Sequence, residues 1–175
     1  MTTDTPCFSI SRTFNAPLSR VWKVWTTPEA LAQWFGPKGT SGTILAFDLR
    51  PGSEWRGRLD TPDGTVMYSK FVFRDVDPMS RLEWVHGFAD AAGNRISAPF
   101  TQQFPLEMLA TVLFADEGER TRVDFTWTPL DATPEQEAFF VSMMASMTGG
   151  CLAASSSWTR SLPLARRLRD ILARQ

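Results

Sequence analysis

Residues 66–88 read VMYSKFVFRDVDPMSRLEWVHGF, and their pattern decides the fold class. Val66–Val76 and Leu82–Phe88 are two strand-like runs, and the Asp77-Pro78 pair between them is turn chemistry. In the second run Leu82, Trp84 and His86 alternate with Glu83 and Val85, the period of two expected of a strand with one buried face. A charged Glu83 is more cheaply turned toward water than into an apolar interior. Trp84 and His86 are therefore expected to face inward.

The same grammar extends both ways from this hairpin. Further strand segments fall at Thr43–Leu49, Glu54–Leu59, Met108–Phe114 and Thr121–Trp127, punctuated by Arg50-Pro51-Gly52, Pro62-Asp63-Gly64 and Asp116-Glu117-Gly118. Upstream, Phe8, Ile10 and Phe14 share one parity against Ser9, Ser11 and Thr13, giving a first strand over Phe8–Asn15. Leu18, Val21, Trp22, Val24 and Trp25 then cluster at helical spacing behind Pro17, and Thr27-Pro28-Glu29 opens a second short helix with Thr27 as its cap. Ala89 to Pro105 is too long for a hairpin turn and reads as a loop over one opening. Downstream, Thr133-Pro134-Glu135-Gln136 is a capping-box start, and Phe139, Phe140, Met143, Met144 and Met147 form one apolar stripe on a long last helix. Gly149-Gly150 and Pro163 are expected to bend it. The order is strand, two short helices, six strands, long helix, with no repeat or linker, so residues 1–175 read as one domain.

Composition narrows the function classes. Lysine plus arginine (18) nearly balances aspartate plus glutamate (19), a net charge of -1 that argues against nucleic acid and anionic lipid as partners. No apolar run is long enough for a membrane span and the first eight residues lack signal-peptide character, so a cytoplasmic protein is expected. Cys7 and Cys151, far apart and without C-x-x-C spacing, read as buried free thiols. A single histidine rules out a site of several His ligands, and no P-loop or dinucleotide motif appears. Neither metal nor cofactor is expected.

The element order and a set of local strings resemble the START/Bet v 1-like (SRPBCC) superfamily, in the branch similar to the C-terminal domain of the activator of Hsp90 ATPase. The strings are Arg12-Thr13-Phe14-Asn15-Ala16-Pro17, Val21-Trp22 through Trp25-Thr26-Thr27-Pro28-Glu29, Trp34-Phe35-Gly36-Pro37, Arg50-Pro51-Gly52, and Val76-Asp77-Pro78 before Arg81-Leu82. Phe104 to Leu109, Thr126-Trp127-Thr128-Pro129, Ala132-Thr133 and Ser146-Met147 continue the series. The resemblance implies an α+β helix-grip fold: a curved antiparallel sheet of about seven strands with two short helices, and a long C-terminal helix closing a cavity.

Within that frame the pattern offers Trp55, Tyr68, Trp84, His86, Met108, Met143 and Met147 as cavity-lining candidates, each of which would otherwise be core packing. Arg12 lies in phase with Ile10 and Phe14, as a rim ion pair or an anchor for an acidic ligand group. His86 is a core imidazole, a ligand-orienting donor or, as the weak catalytic candidate, an acid/base group. The leading expectation is a noncatalytic binder of a small hydrophobic or aromatic molecule. The alternatives are a cofactor-free polyketide cyclase- or hydrolase-like enzyme and a chaperone-interaction module of the Hsp90 type. Monomer and homodimer both remain open.

Overall fold

The computed structural model describes residues 5–36 and 39–147, with side chains through residue 144. It is an α+β fold in which seven antiparallel strands form one curved sheet and three helices accompany it. The elements are β1 (Phe8–Phe14), α1 (Leu18–Thr26), α2 (Pro28–Trp34), β2 (Ser41–Phe47), β3 (Glu54–Asp60), β4 (Val66–Asp77), β5 (Arg81–Ala89), β6 (Glu107–Asp116), β7 (Thr121–Leu130) and α3 (Pro134–Met147). In space the strands run β1-β7-β6-β5-β4-β3-β2. Strands β2 to β7 form a meander, and the first strand crosses over to pair with the last.

Register shifts at Ile44/Ala46 and Phe73/Asp75 insert bulges that sharpen the sheet's twist locally. On the face toward α1 and α2, Val21, Trp22, Val24 and Trp25 of α1 and Leu31 and Trp34 of α2 pack onto Phe73, Leu82, Trp84 and Val112. Aromatic pairs fix that packing, with Trp22 edge-on to Phe114 at 5.2 Å and Trp25 on Trp34 at 5.0 Å. Phe35, just past α2, lies over Gly57 of β3, where any Cβ would collide with its ring. The missing side chain admits the ring edge-on against both Trp55 and Phe71. This sheet face, common to the helices, is called the inner face below.

A second buried cluster joins α3 to the same face through Ala98, Phe104, Met108, Phe140 and Met144. Its loop residues come from 90–106, which begins as a turn held by the Asp90 carboxylate. That carboxylate accepts from the backbone N–H groups of Ala92 and Asn94 and from the Asn94 amide. Phe88, Phe100 and Phe104 pack edge to face, so the loop sits across one end of the inner face beside α3.

Some local readings need correction. Thr27 stands at the N-cap of α2 but makes no side-chain cap bond there; its hydroxyl donates back to the Lys23 carbonyl at 2.9 Å at the end of α1 instead. The strand read over Thr43–Leu49 lies at Ser41–Phe47. Cys7 is a free thiol but exposed, because it takes the outward parity just before β1. Cys151 and the expected bends at Gly149-Gly150 and Pro163 fall outside the described residues. On α3 the buried pair is Phe140 and Met144, while Met143 is half-buried at the cluster's margin.

The capping box does form. Thr133 Oγ1 accepts from the Gln136 N–H at 3.3 Å, and Gln136 Oε1 accepts from the Thr133 N–H at 3.0 Å. Thr133→Ala should therefore cost about 1 kcal/mol in urea unfolding, and Thr133→Ser much less. Equal losses in the two variants would show that the hydroxyl is not what holds the helix start.

Candidate functional site

Four flat rings cross the inner face in one line, each supplied by a strand whose parity aims it inward. Trp55 of β3 stacks on Phe71 of β4 with centroids 3.6 Å apart and planes 5° from parallel. Phe71 in turn stacks on His86 of β5 at 5.0 Å and 15°. His86 lies nearly in plane with Trp127 of β7, centroids 5.3 Å apart and planes 11° from parallel, and Trp127 meets Phe140 of α3 edge-on at 5.8 Å. The cross-strand register explains the line: Trp55 pairs with Phe71, Phe71 with His86, and His86 with Met108. Met108 is fully buried, and the Trp127 ring reaches across β6 beside Ala110, its partner in register.

Trp127 does more than lie beside the imidazole. Its indole Nε1–H donates to His86 Nε2 at 2.6 Å. A nitrogen that accepts a hydrogen bond cannot carry the proton, so the neutral imidazole is the Nδ1–H tautomer. Burial pushes the His86 pKa down to about 3, and the nearby Arg95 guanidinium adds to the effect. The residue keeps partial exposure, but Phe71 covers one face of the ring and the Nε2 lone pair is committed to Trp127. Those contacts account for the direction of the shift.

Arg95 acts from the other side of β5. It donates from Nη1 to the Lys70 carbonyl at 2.7 Å and forms an ion pair with Glu107 at 3.0 Å. Gly87 makes this crossing feasible, since a Cβ at that position would strike the Leu106 carbonyl and crowd Arg95 Cδ at 3.1 Å. A fixed cation thus stands behind the imidazole without a side chain between them at position 87.

The sequence-derived candidates separate into groups. Trp55, His86 and Met108 lie together on the inner face, with Met143 half-buried nearby. Trp84 faces inward as well, but belongs to the core beneath α1, between Trp25 at 6.4 Å and Phe73 at 6.3 Å. Its Nε1–H is sealed from solvent without a hydrogen-bond partner. Tyr68 is a correction: inward parity on β4 belongs to Ser69, Phe71 and Phe73, so Tyr68 takes the outer face opposite Arg58. The aromatic character of Tyr68 suggested a lining residue, whereas the buried Ser69 carries the inward parity.

Arg12 has inward parity and a pKa lowered by burial, and its Nη1 donates to the Ser11 carbonyl at 3.5 Å. It pairs with Val123, four positions along β7 from Trp127, which at roughly 3.3 Å per residue is ~13 Å from the His86 contact. The Met147 side chain lies outside the described residues. The residues of the line that sequence reasoning missed are Phe71, whose inward parity on β4 was passed over for Tyr68, and Trp127. For Trp127 the alternation with Val123 and Phe125 was the available signal, while its bond to His86 depends on the crossing of β6.

Among the described residues, no group of three His, Cys, Asp or Glu side chains could hold a metal ion. No helix among them is long and apolar enough to cross a membrane.

Comparison with known proteins adds a family. Residues 15–153 match the family model described as Activator of Hsp90 ATPase homolog 1-like protein. The chain belongs to that family. The match spans every element from α1 to α3, including all four rings of the inner-face line. No curated protein matches. Solved structures with the same fold include an Arthrobacter aurescens protein with TM-score 0.74 and 23% identity, covering 100% of this chain and 90% of that one. A Mycobacterium smegmatis protein aligns with TM-score 0.70 and 23% identity over 97% of this chain and 91% of its own. One from Nitrosomonas europaea has TM-score 0.68 and 24% identity, with 96% and 94% covered. At these identities the likeness shows the fold alone for this member of the Hsp90 ATPase activator-like family: an α+β fold with a seven-stranded curved antiparallel sheet, consistent with a helix-grip.

Proposed function

We propose that the protein binds a small apolar or aromatic molecule in a cavity between the inner face of the sheet and α3. One observation carries the reading. Around the second buried cluster, Trp127, Phe139, Met143 and Phe88 stay only partly buried, although ordinary core packing would seal such side chains. The half-open His86 stands among them. A planar guest sliding beside those rings would gain stacking and apolar burial at once. Trp55 and Met108 would support the walls, with Arg12 farther along the sheet.

The reading takes residues 1–175 as one cytoplasmic domain that works without metal or cofactor, alone or as a homodimer. In a cyclase- or hydrolase-like reaction His86, Tyr68 or Arg12 would polarise a carbonyl; as an acid/base group His86 would have to exchange a proton near neutrality, and its Nε2 lone pair is held by Trp127. The chaperone-interaction alternative has the family description as its support. Native mass spectrometry of freshly purified protein tests the binding reading. The expected spectrum contains a non-covalent small-molecule adduct that disappears on denaturation and is displaced by 2-acetylnaphthalene. Absence of any adduct, together with no binding of that ketone up to its solubility limit, would overturn it.

A further inference from the structure

We infer that His86 Nδ1–H is the polar anchor of this site, so that the preferred guest is an uncharged aromatic molecule bearing a hydrogen-bond acceptor such as a carbonyl. The inference deepens the binding proposal and rests on it. Its starting point is the Trp127–His86 bond. An indole N–H can only donate, so Nε2 must accept, and the single proton of a neutral imidazole is forced onto Nδ1.

The outward end of that relay is open. Nδ1 has no hydrogen-bond partner among the described residues and is not one of the polar atoms sealed from solvent. It therefore offers a donor of fixed position and orientation, on a ring held by Phe71 against one face at 5.0 Å and by the Trp127 N–H at its Nε2 edge at 2.6 Å. Phe71, Trp127, Trp55 and Phe140 bring no second charge to the ring. The ionic groups near it, Arg95 with Glu107, act from the outer side of Gly87. A neutral donor flanked by aromatic plates favours a neutral acceptor over a carboxylate, whose charge would lose hydration without gaining an ion pair. The Trp127 indole is then a positioning group, acting on the guest through the tautomer it imposes.

The chain contains one histidine, which makes the test direct. Long-range proton–nitrogen NMR of uniformly nitrogen-labelled protein shows a single imidazole, and its two nitrogen shifts report the tautomer without assignment. The expected spectrum at neutral pH is the Nδ1–H form, and titration with 2-acetylnaphthalene should move the protonated nitrogen more than Nε2. The ketone should bind about three- to tenfold more tightly than 2-ethylnaphthalene, a gain expected of one neutral hydrogen bond. His86→Phe keeps a stacked ring and should abolish that preference while hydrocarbon binding persists. Trp127→Phe should release the imidazole to a mixture of tautomers and reduce the preference.

An Nε2–H tautomer in the wild-type protein, or a preference that survives His86→Phe, would overturn the anchor. Equal binding of ketone and hydrocarbon would also refute it, while leaving the binding proposal standing. Failure of both probes to bind would overturn the anchor, and together with the absence of any adduct in the native mass spectrum it would remove the binding proposal as well.

Discussion

Replacing Phe140 by alanine should lower the unfolding free energy by about 3 to 5 kcal/mol, the range for deleting a well-packed aromatic side chain. Phe140 is 1% exposed and occupies the centre of the contact between α3 and the sheet. It meets Trp127 edge-on and shares a cluster with Phe104 and Met108, which come from the loop and from β6. Truncation therefore removes contacts to three elements simultaneously, and the small α3 cannot collapse far into the space without dragging its capping box. The neighbouring Val141 provides the control. It is 42% exposed on the opposite side of α3, and Val141→Ala should change stability by no more than about 0.5 kcal/mol. Urea denaturation of both variants makes the comparison. Similar small losses would mean that α3 is not docked through Phe140, and the proposed cavity would have no lid.

The strands were legible because each carries its own alternation. Leu82, Trp84 and His86 against Glu83 fixed the facing of β5, and the structure places Glu83 outward, accepting from Thr111 at 3.1 Å. Turn residues and the reciprocal Thr133–Gln136 cap marked element ends for equally local reasons. What sequence alone did not yield is information that exists only between strands. The strand order with β1 beside β7 places Trp127 one strand in from the sheet's edge, and a ring from β7 then reaches past β6 to one on β5. No spacing within either strand encodes that reach. Tyr68 failed for the opposite reason, since residue type was weighed above the alternation that aims Phe71 and Phe73 inward. Thr27 shows the same limit on a smaller scale: its hydroxyl could serve the helix before it or the one after it, and it serves the earlier one.

Stability should also fall as pH is lowered from about 6.5 toward 3, through His86 itself. In the unfolded chain the imidazole titrates near its ordinary value of 6.5, whereas burial among the rings pushes the folded value down to about 3. Between those limits the unfolded state binds a proton that the folded state refuses, so acid favours unfolding. Above the window neither state holds the proton and the contribution is constant; below it both do, and the slope vanishes again. One proton changes stability by at most ~1.4 kcal/mol per pH unit, and the partial exposure of the ring makes the realised total smaller than the full span implies. Asp48, Asp63 and Asp90 also have lowered pKa values, through hydrogen bonds chiefly from Arg50, Thr61 and Asn94 respectively. Their contributions are present above the ordinary carboxylate value of 3.8 and are lost as pH falls below it, so they overlap only the acid end of the window. His86→Phe separates the two sources, because it retains a ring against Phe71, removes the proton and leaves all three carboxylates in place. Its loss of the acceptor for Trp127 Nε1–H lowers stability by an amount that does not vary with pH. The difference between wild-type and variant stabilities, measured by urea unfolding at successive pH values, should therefore be flat above pH 7 and shrink steadily from 6.5 to 4. Parallel curves through that interval would mean that His86 holds its proton equally well folded and unfolded, and the clamped neutral imidazole would be wrong.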